Sequence, residues 1–361
     1  MTSEVMMLRY KEIKNEILSI VSVMQQGDTL PSRNELCKRL DTTRTTVDKA
    51  IRELVDEGAL ISRKGSGTRV AGLIEKAHPD VQNWCVILPN VTEQIYSNLL
   101  RGIENVADAS NTNIIICNSD NNPDKQEQYI RRLMVSGVSG FIIVPTISGE
   151  PKESLRLYDS LVQSKIPFIF CNRGVDGINA PIVKSNDFYG GYIATTHLLT
   201  KGYRKIAFIG RQQYSTCIDR CQGYISALME HNIEINRQHI MMPPPGGILD
   251  SYEAMEQLLH NNDVPDAVFC FNDYTAELAS KAIKDAGLCV SDDIGIVGYD
   301  NGNICESCSP KITSISFKSM EIGACAARLL EEISKGNRPS GFRYYLFQPS
   351  IVVRESCLGK K

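Results

Sequence analysis

The sequence predicts an α/β protein in two parts, a small helix-turn-helix unit with a hairpin wing and a larger two-lobed body of parallel sheets. Three observations predict it. Residues 31–71 carry helix, turn, helix and hairpin signals in that order. From Trp84 onward, short apolar runs recur roughly every 27 residues with amphipathic stretches between them. Residues 73–83 show neither pattern. The expected division is therefore 1–72, a linker at 73–83, and 84–361.

The front unit opens on an amphipathic stretch over 6–25, where Tyr10, Ile13, Ile17, Ile20, Val21 and Met24 repeat at helical spacing. Ser32 can cap the next helix, and Glu35 three residues later completes a capping-box pattern. Leu36 and Leu40 give that helix one apolar face. After the Asp41-Thr42 turn, Thr43 caps a helix whose Val47, Ala50, Ile51, Leu54 and Val55 fall on one side. Arg44, Thr45, Asp48, Lys49 and Arg52 fall on the other. Gly58 suits the position just past the helix end. Leu60–Arg63 and Thr68–Ala71 read as two short strands joined by Lys64-Gly65-Ser66-Gly67.

The second helix of such a unit can enter a DNA major groove with its first residues at base edges. Arg44 can fork onto guanine, and the helix start favours phosphate. The candidate DNA contacts are Ser32, Arg33, Asn34, Thr43, Arg44, Thr45, Thr46 and Lys49, with Arg63, Lys64, Gly65, Ser66 and Gly67 on the wing. The competing reading is a small helical bundle whose basic residues are simply solvated. It does not account for caps, turn and wing agreeing in order and spacing.

These residues resemble the GntR-type winged helix. The resemblance rests on Leu30-Pro31-Ser32, Thr43-Arg44-Thr45-Thr46-Val47, Glu57-Gly58 and Gly65-Ser66-Gly67-Thr68. Two positions depart from that family's pattern. Asp48 stands where a basic residue is frequent, and Arg33-Asn34 stands where Glu-Arg is frequent.

At 361 residues the chain can bury a large core in two or three domains. Residues 1–72 hold 12 Lys and Arg against 10 Asp and Glu, a net +2. The whole chain is −3, so the remainder is −5. The basic excess lies with the front unit, and an acidic body would not wrap DNA. The 12 cysteines are scattered, often inside apolar runs, as free thiols are in a reducing compartment. Cys305 and Cys308 are spaced as CxxC but lack a second pair or a neighbouring histidine, so no metal is expected. The N-terminus has no apolar signal core, and no run of about 18 apolar residues occurs. A cytoplasmic protein with no membrane partner is expected.

In the body, the strand-like runs are 84–89, 113–118, 140–145, 167–172, 205–210, 239–244, 266–273 and 294–300. Parallel strands covered on both faces read this way. Ligands bind such sheets beyond the strand C-termini. Polar residues gather there: Glu93 and Tyr96, Asp120, Asn172 and Arg173, Arg220, Asn272, and Asp300. Each alone fits a turn or a cap. Together they would line a cleft suited to a sugar, whose hydroxyls pair with Arg, Asp and Asn while its C–H face rests on an aromatic ring.

Residues 84–356 resemble the LacI/GalR-type effector domain, which shares the fold of periplasmic sugar-binding proteins. The stretches that carry this are 99–104, 138–145, 186–191, 202–210, Arg220-x-x-Gly223-Tyr224, 271–273 and 297–300. The resemblance implies two lobes with chain crossings near 184–187, 312–315 and 342–346. It also implies effector contacts at Arg220, Asn272, Asp300 and Asn172. Ile95 departs where Phe is frequent, and Tyr96 can take that role. The pairing of this head with this body resembles the repressors of arabinose utilisation. It implies a homodimeric repressor of carbohydrate-utilisation genes, bound to double-stranded operator DNA and released by a sugar, with L-arabinose favoured.

Other classes predict other features. A sugar-binding transport component would not carry residues 31–71. An enzyme on a nucleotide-binding sheet would show G-x-G-x-x-G after a first strand or G-x-x-x-x-G-K-[ST], and neither is present. No catalytic residue and no cofactor is expected. A regulator responding to a purine would share the same layout.

Overall fold

The computed structural model describes residues 13–14, 16–21, 24, 27–56, 58–63, 67–71, 82–146, 151–243, 249–337 and 344–359, with Arg63 and 151–154 described as backbone alone. The chain divides into two compact units, 1–81 and 82–361.

In the first unit, α1 (Arg33–Arg39) begins at Ser32, whose hydroxyl accepts the Glu35 backbone N–H at 3.3 Å. α2 (Arg44–Asp56) follows. Val47, Ala50, Ile51 and Leu54 on its inner face join Ile13, Ile17, Leu30, Leu36 and Leu60 in one buried cluster. Gly58 ends the helix with φ +76°, a backbone state that glycine adopts without strain. β1 (Leu60–Arg63) and β2 (Gly67–Val70) pair antiparallel. The segment before α1 adds a third edge that the apolar pattern did not announce. Leu30 N–H donates to Thr68 O at 2.8 Å and Gly27 N–H to Val70 O at 3.0 Å. The expected first helix lies only partly within the described residues. Most of the expected linker lies outside them, as do Lys64, Gly65 and Ser66.

The second unit holds two six-stranded sheets. The first is wholly parallel, in the order β13-β7-β6-β5-β3-β4. Its strands are β3 (Gln82–Leu88), β4 (Thr112–Asn118), β5 (Gly140–Ile143), β6 (Phe168–Cys171), β7 (Ile182–Ser185) and β13 (Tyr344–Phe347). Helices α3 (Gln94–Ala109), α4 (Pro123–Val135) and α5 (Pro151–Ser164) connect them. The second sheet runs β14-β12-β11-β10-β8-β9 and is parallel except at its β14 edge. It comprises β8 (Ile206–Ile209), β9 (Ile240–Met241), β10 (Ala267–Cys270), β11 (Gly295–Asp300), β12 (Thr313–Ser316) and β14 (Ser350–Val352). Helices α6 (Asp187–Thr200), α7 (Ser215–Glu230), α8 (Ser251–Leu259), α9 (Asp273–Asp285) and the short α10 (Ile304–Ser307) belong to this lobe, and α11 (Ser319–Ser334) returns to the first.

Gln82 and Asn83, expected as the last linker residues, already pair with Thr112 and Asn113 in β3. The chain passes between lobes after β7, after β12 and after β13. The second and third passages fall a few residues later than expected, because 313–316 and 344–347 are themselves strands. The expected strand at 239–244 shrinks to two residues. His239 sits in a 3-10 turn, its ring hydrogen-bonded to the Asp263 carbonyl at 2.8 Å.

Helix contact fixes where α7 stands. Side chains at Gly191 and Gly223 would lie about 2.0 Å from the carbonyl oxygens of Arg220 and Phe188. Only glycine permits α6 and α7 to pack backbone to backbone. That contact sets the position of Arg220.

Candidate functional site

In the first unit, the sequence-predicted residues form two groups. Asn34, Thr43, Arg44, Thr45, Lys49 and Gly67 are exposed. Thr43 Oγ1 lies 2.9 Å from the hydroxyls of both Thr45 and Thr46, which orders the start of α2. Ser32 is occupied as a cap. Arg33 is held between elements: its Nε donates to Asp48 Oδ1 at 2.8 Å and its Nη1 to Thr68 Oγ1 at 3.3 Å. Nothing is described of the side chains of Arg63, Lys64 and Ser66.

In the second unit, a cavity of about 710 Å³ opens at the strand C-termini of both lobes. Glu93, Tyr96, Asn172, Arg173, Arg220, Asn272 and Asp300 line it, so seven of the eight predicted effector residues come together. They lie at or just beyond the C-terminal ends of β3, β6, β10 and β11, with Tyr96 in the first turn of α3, Asp300 the last residue of β11 and Arg220 on α7. In both sheets the strand order reverses near this mouth, where open α/β sheets leave a crevice.

Arg220 is the electrostatic centre. It is 4% exposed. Its Nε donates to Asp187 Oδ1 at 3.0 Å, its Nη2 lies 2.9 Å from the same oxygen, and its Nη1 donates to Phe271 O at 2.5 Å. The guanidinium lies 3.4 Å from the Tyr299 ring centroid. Burial opposes its charge, but Asp187, Tyr299 and Asp300 hold its pKa above the ordinary arginine value. Asp187 is itself buried and faces Lys184 Nζ at 3.2 Å, and Lys184 continues to Asp219 at 2.8 Å. This chain of ion pairs is in place before any ligand arrives, which is how a binding group is preorganised, although Asp187 Oδ2 takes part in it by charge alone and accepts no hydrogen bond among the described residues.

Asp300 lies 3.9 Å from Arg220 Nη2, too far to be saturated by it. Burial raises its pKa well above the ordinary carboxylate range, with Arg220 pulling the other way. Its φ of +105° is strained for a non-glycine residue. Glu93 is likewise raised by burial, against the pull of Asn90 and Arg173. Asn172 also adopts a left-handed φ of +64°, and its buried amide oxygen finds no hydrogen-bond partner among the described residues. Asn272 spends its oxygen on the Thr275 N–H at 2.8 Å as a helix cap. Its amide nitrogen remains the group suited to a ligand.

Asp120 is the exception. It is exposed, adopts φ +52°, and its carboxylate engages Lys125 and Asn118. It is a turn residue, and Asn121 lines the cavity instead.

The aromatic lining of the cavity was missed. Tyr214 and Phe271 stack with ring centroids 6.0 Å apart and planes 8° from parallel, giving an aromatic wall. Arg173 lies over Tyr214 at 5.1 Å, while its Nε donates to Pro145 O at 2.6 Å. Phe271 falls in the 271–273 stretch, but nothing in its sequence pattern assigns it a role in the cleft. Gln94 and Asn303 join the lobes: Gln94 Nε2 donates to Asn303 Oδ1 at 3.1 Å, and Asn303 N–H donates to Gln94 Oε1 at 2.5 Å. No sequence signal couples residues this far apart. Among the described residues, no acidic, cysteine or histidine cluster is arranged to hold a metal, and no helix is long and apolar enough to cross a membrane.

The family of periplasmic binding protein-like domains matches residues 195–357. The bacterial regulatory protein gntR family matches residues 10–70. The arabinose metabolism transcriptional repressor of Geobacillus stearothermophilus is 27% identical over 353 residues, covering 96% of this chain and 97% of its own length. The HTH-type transcriptional repressor PurR of Vibrio campbellii is 30% identical over 325 residues, 88% of this chain and 90% of its own. Among solved structures, a LacI family transcriptional regulator from Enterococcus faecium with bound ribose superposes with a TM-score of 0.65 at 27% identity. It covers 78% of this chain and 100% of that one.

Proposed function

The chain belongs to the HTH-type bacterial transcriptional repressors, here with a gntR-family head on a periplasmic-binding-protein-like body, and from that premise we propose that a monosaccharide releases it from its operator. L-arabinose is the favoured effector, and carbohydrate-utilisation genes are the regulated targets. The observation that carries this reading is the cavity of about 710 Å³ in which buried, internally paired charges meet an aromatic wall. Arg220, Asp300 and the Asn172 amide offer donors and acceptors to ring hydroxyls. Tyr214, Phe271 and Tyr96 offer apolar area to the sugar's C–H face. Relatives whose names carry arabinose and ribose support the class of ligand.

The working form in this reading is a cytoplasmic homodimer whose two heads meet the half-sites of a pseudo-palindromic operator. In each head, Arg44 with Thr43, Thr45 and Thr46 addresses base edges, while Asn34, Lys49, Arg63 and the Lys64–Gly67 tip address the backbone. Sugar closes the lobes, and closure changes how the heads are presented. The coupling is reciprocal, so a sugar that weakens operator binding binds the DNA-bound form less tightly by the same factor. Near-complete release needs a differential affinity of about 10⁴-fold.

A thermal-shift screen against monosaccharides, with purine bases as a comparison arm, tests the ligand class. A rise of several degrees with one sugar is expected. The same sugar added to a gel-shift assay should free the operator. A shift with a purine alone, or an operator complex indifferent to every ligand, would sink the proposal.

A further inference from the structure

Asp48 stands one turn into α2, four residues after Arg44. A carboxylate at this place repels phosphate, which a DNA-facing helix otherwise seeks. Each of its oxygens faces an arginine. Arg33 Nε donates to Oδ1 at 2.8 Å, and Arg44 Nε lies 3.8 Å from Oδ2. Arg33 Nη1 continues to Thr68 Oγ1 at 3.3 Å, and Thr68 donates to Ser62 Oγ at 3.4 Å. One carboxylate thus ties the start of α1, the recognition helix and the wing.

We propose that Asp48 is a specificity-determining positioning residue of the head: as the shared counter-ion of Arg33 and Arg44, it suppresses their indiscriminate attraction to phosphate and aims Arg44 at one base. The inference rests on reading the head as the operator grip. The chemistry is direct. The nearest contact to Arg44 runs through Nε, and its two terminal nitrogens are the pair that forks onto guanine O6 and N7. A carboxylate 3.8 Å from Nε biases the exposed Arg44 toward one side of the helix, so it has fewer orientations to lose on meeting that base. Arg33, held on two sides, is a brace between elements rather than a mobile phosphate ligand. The head thereby gives up sequence-independent affinity and gains discrimination.

The test uses the full-length protein as wild type and as Asp48→Asn, which keeps the shape and removes the charge. Each is titrated by fluorescence anisotropy into a duplex selected from a randomised pool and into a scrambled duplex of equal length, at several salt concentrations. Asp48→Asn is expected to bind the scrambled duplex more tightly, with a salt slope steeper by about 1. Its selected-to-scrambled affinity ratio should fall ~10-fold, the scale of one lost bidentate base contact. On an Arg44→Gln background the same substitution should no longer move the ratio. An unchanged ratio and slope, equal weakening on both duplexes, or a ratio change that persists without Arg44 would each overturn the proposal. If wild type itself does not distinguish the duplexes, the operator reading fails instead. Should Asp48→Asn not fold, Asp48→Glu decides: the slope should stay at wild type while the ratio falls, and an unchanged ratio overturns the proposal.

Discussion

Arg44 and Arg220 are the same side chain put to opposite uses. Arg44 is 69% exposed, and its nearest anionic contact is 3.8 Å away in solvent. Arg220 is 4% exposed and locked by Asp187, the Phe271 carbonyl and the Tyr299 ring. The first stays hydrated until a polyanion displaces its counter-ions, so its energy is realised on binding and depends on salt. The second completes its contacts during folding, so its energy is committed to the lobe and salt barely screens it. An exposed arginine can therefore be removed without cost to the fold. A buried one cannot, because its partners stay behind in the interior.

The sharpest way to break this contrast is Arg220→Met. It leaves Asp187 buried opposite Lys184 alone, and removal of one member of a buried pair costs about 3–5 kcal/mol. Urea denaturation should show that loss together with an operator complex that ignores the sugar. A loss under about 1 kcal/mol would mean that Arg220 is less committed to the fold than its contacts indicate.

Arg44→Ala is the converse. Stability should change by no more than about 0.5 kcal/mol, as at other exposed sites. Specific operator affinity should fall by about 1–3 kcal/mol, with sugar affinity intact by calorimetry. A large stability loss here would erase the distinction between the two arginines.

Asp300→Asn sharpens the comparison by separating charge from shape. Burial raises the Asp300 pKa above its unfolded value. The folded protein therefore holds that proton over a pH range in which the unfolded chain has released it. By linkage, the contribution of this group to stability is greatest in acid. It declines as pH rises from the ordinary carboxylate range through the raised folded value. The asparagine variant lacks that decline. Denaturation near pH 4.5 and pH 7.5 should show it gaining on wild type at the higher pH while losing sugar affinity. Parallel pH profiles would remove the burial argument.

The two arginines also differ in how far the sequence disclosed them. The surroundings of Arg44 lie within one motif. Thr43 before the helix, Thr46 and the ion-pair partner Asp48 are neighbours in sequence, and Gly58 marks the helix end, so period and punctuation place them. Arg220 was legible as a polar residue near the strand ends and, through the resemblance, as an effector contact, but its partners were not, because Asp187, Phe271 and Tyr299 are far from it along the chain. The long apolar strands were legible by the same logic. β7, β12, β13 and β14 were not read as strands from their own pattern, since three or four residues with mixed polarity, such as Thr-Ser-Ile-Ser, carry no clear period. Asp120 was overread because a turn carboxylate and a ligand carboxylate look alike until the backbone shows which way the chain bends. Tyr214 and Phe271 were underread because stacking is a property of two loops together.

The Gln94–Asn303 clasp offers the smallest and most discriminating test, because it is neither a buried charge nor a solvent-facing one. It joins the two lobes by two hydrogen bonds at the cavity wall. Its members are exposed enough to exchange these bonds for water, so each contributes about 1 kcal/mol at most. Gln94→Ala removes both bonds at once, because both run through the Gln94 amide, and leaves the Asn303 side chain in solvent rather than stranding it in a core. Global stability should therefore change by less than about 1 kcal/mol. The ligand-bound state should suffer more than the empty one if sugar is held between lobes that must stay together. Sugar affinity should then fall by up to about tenfold through faster release, visible in stopped-flow dissociation, while operator affinity without sugar stays at wild type. Equal loss in the presence and absence of sugar would make the clasp a piece of the fold rather than part of closure.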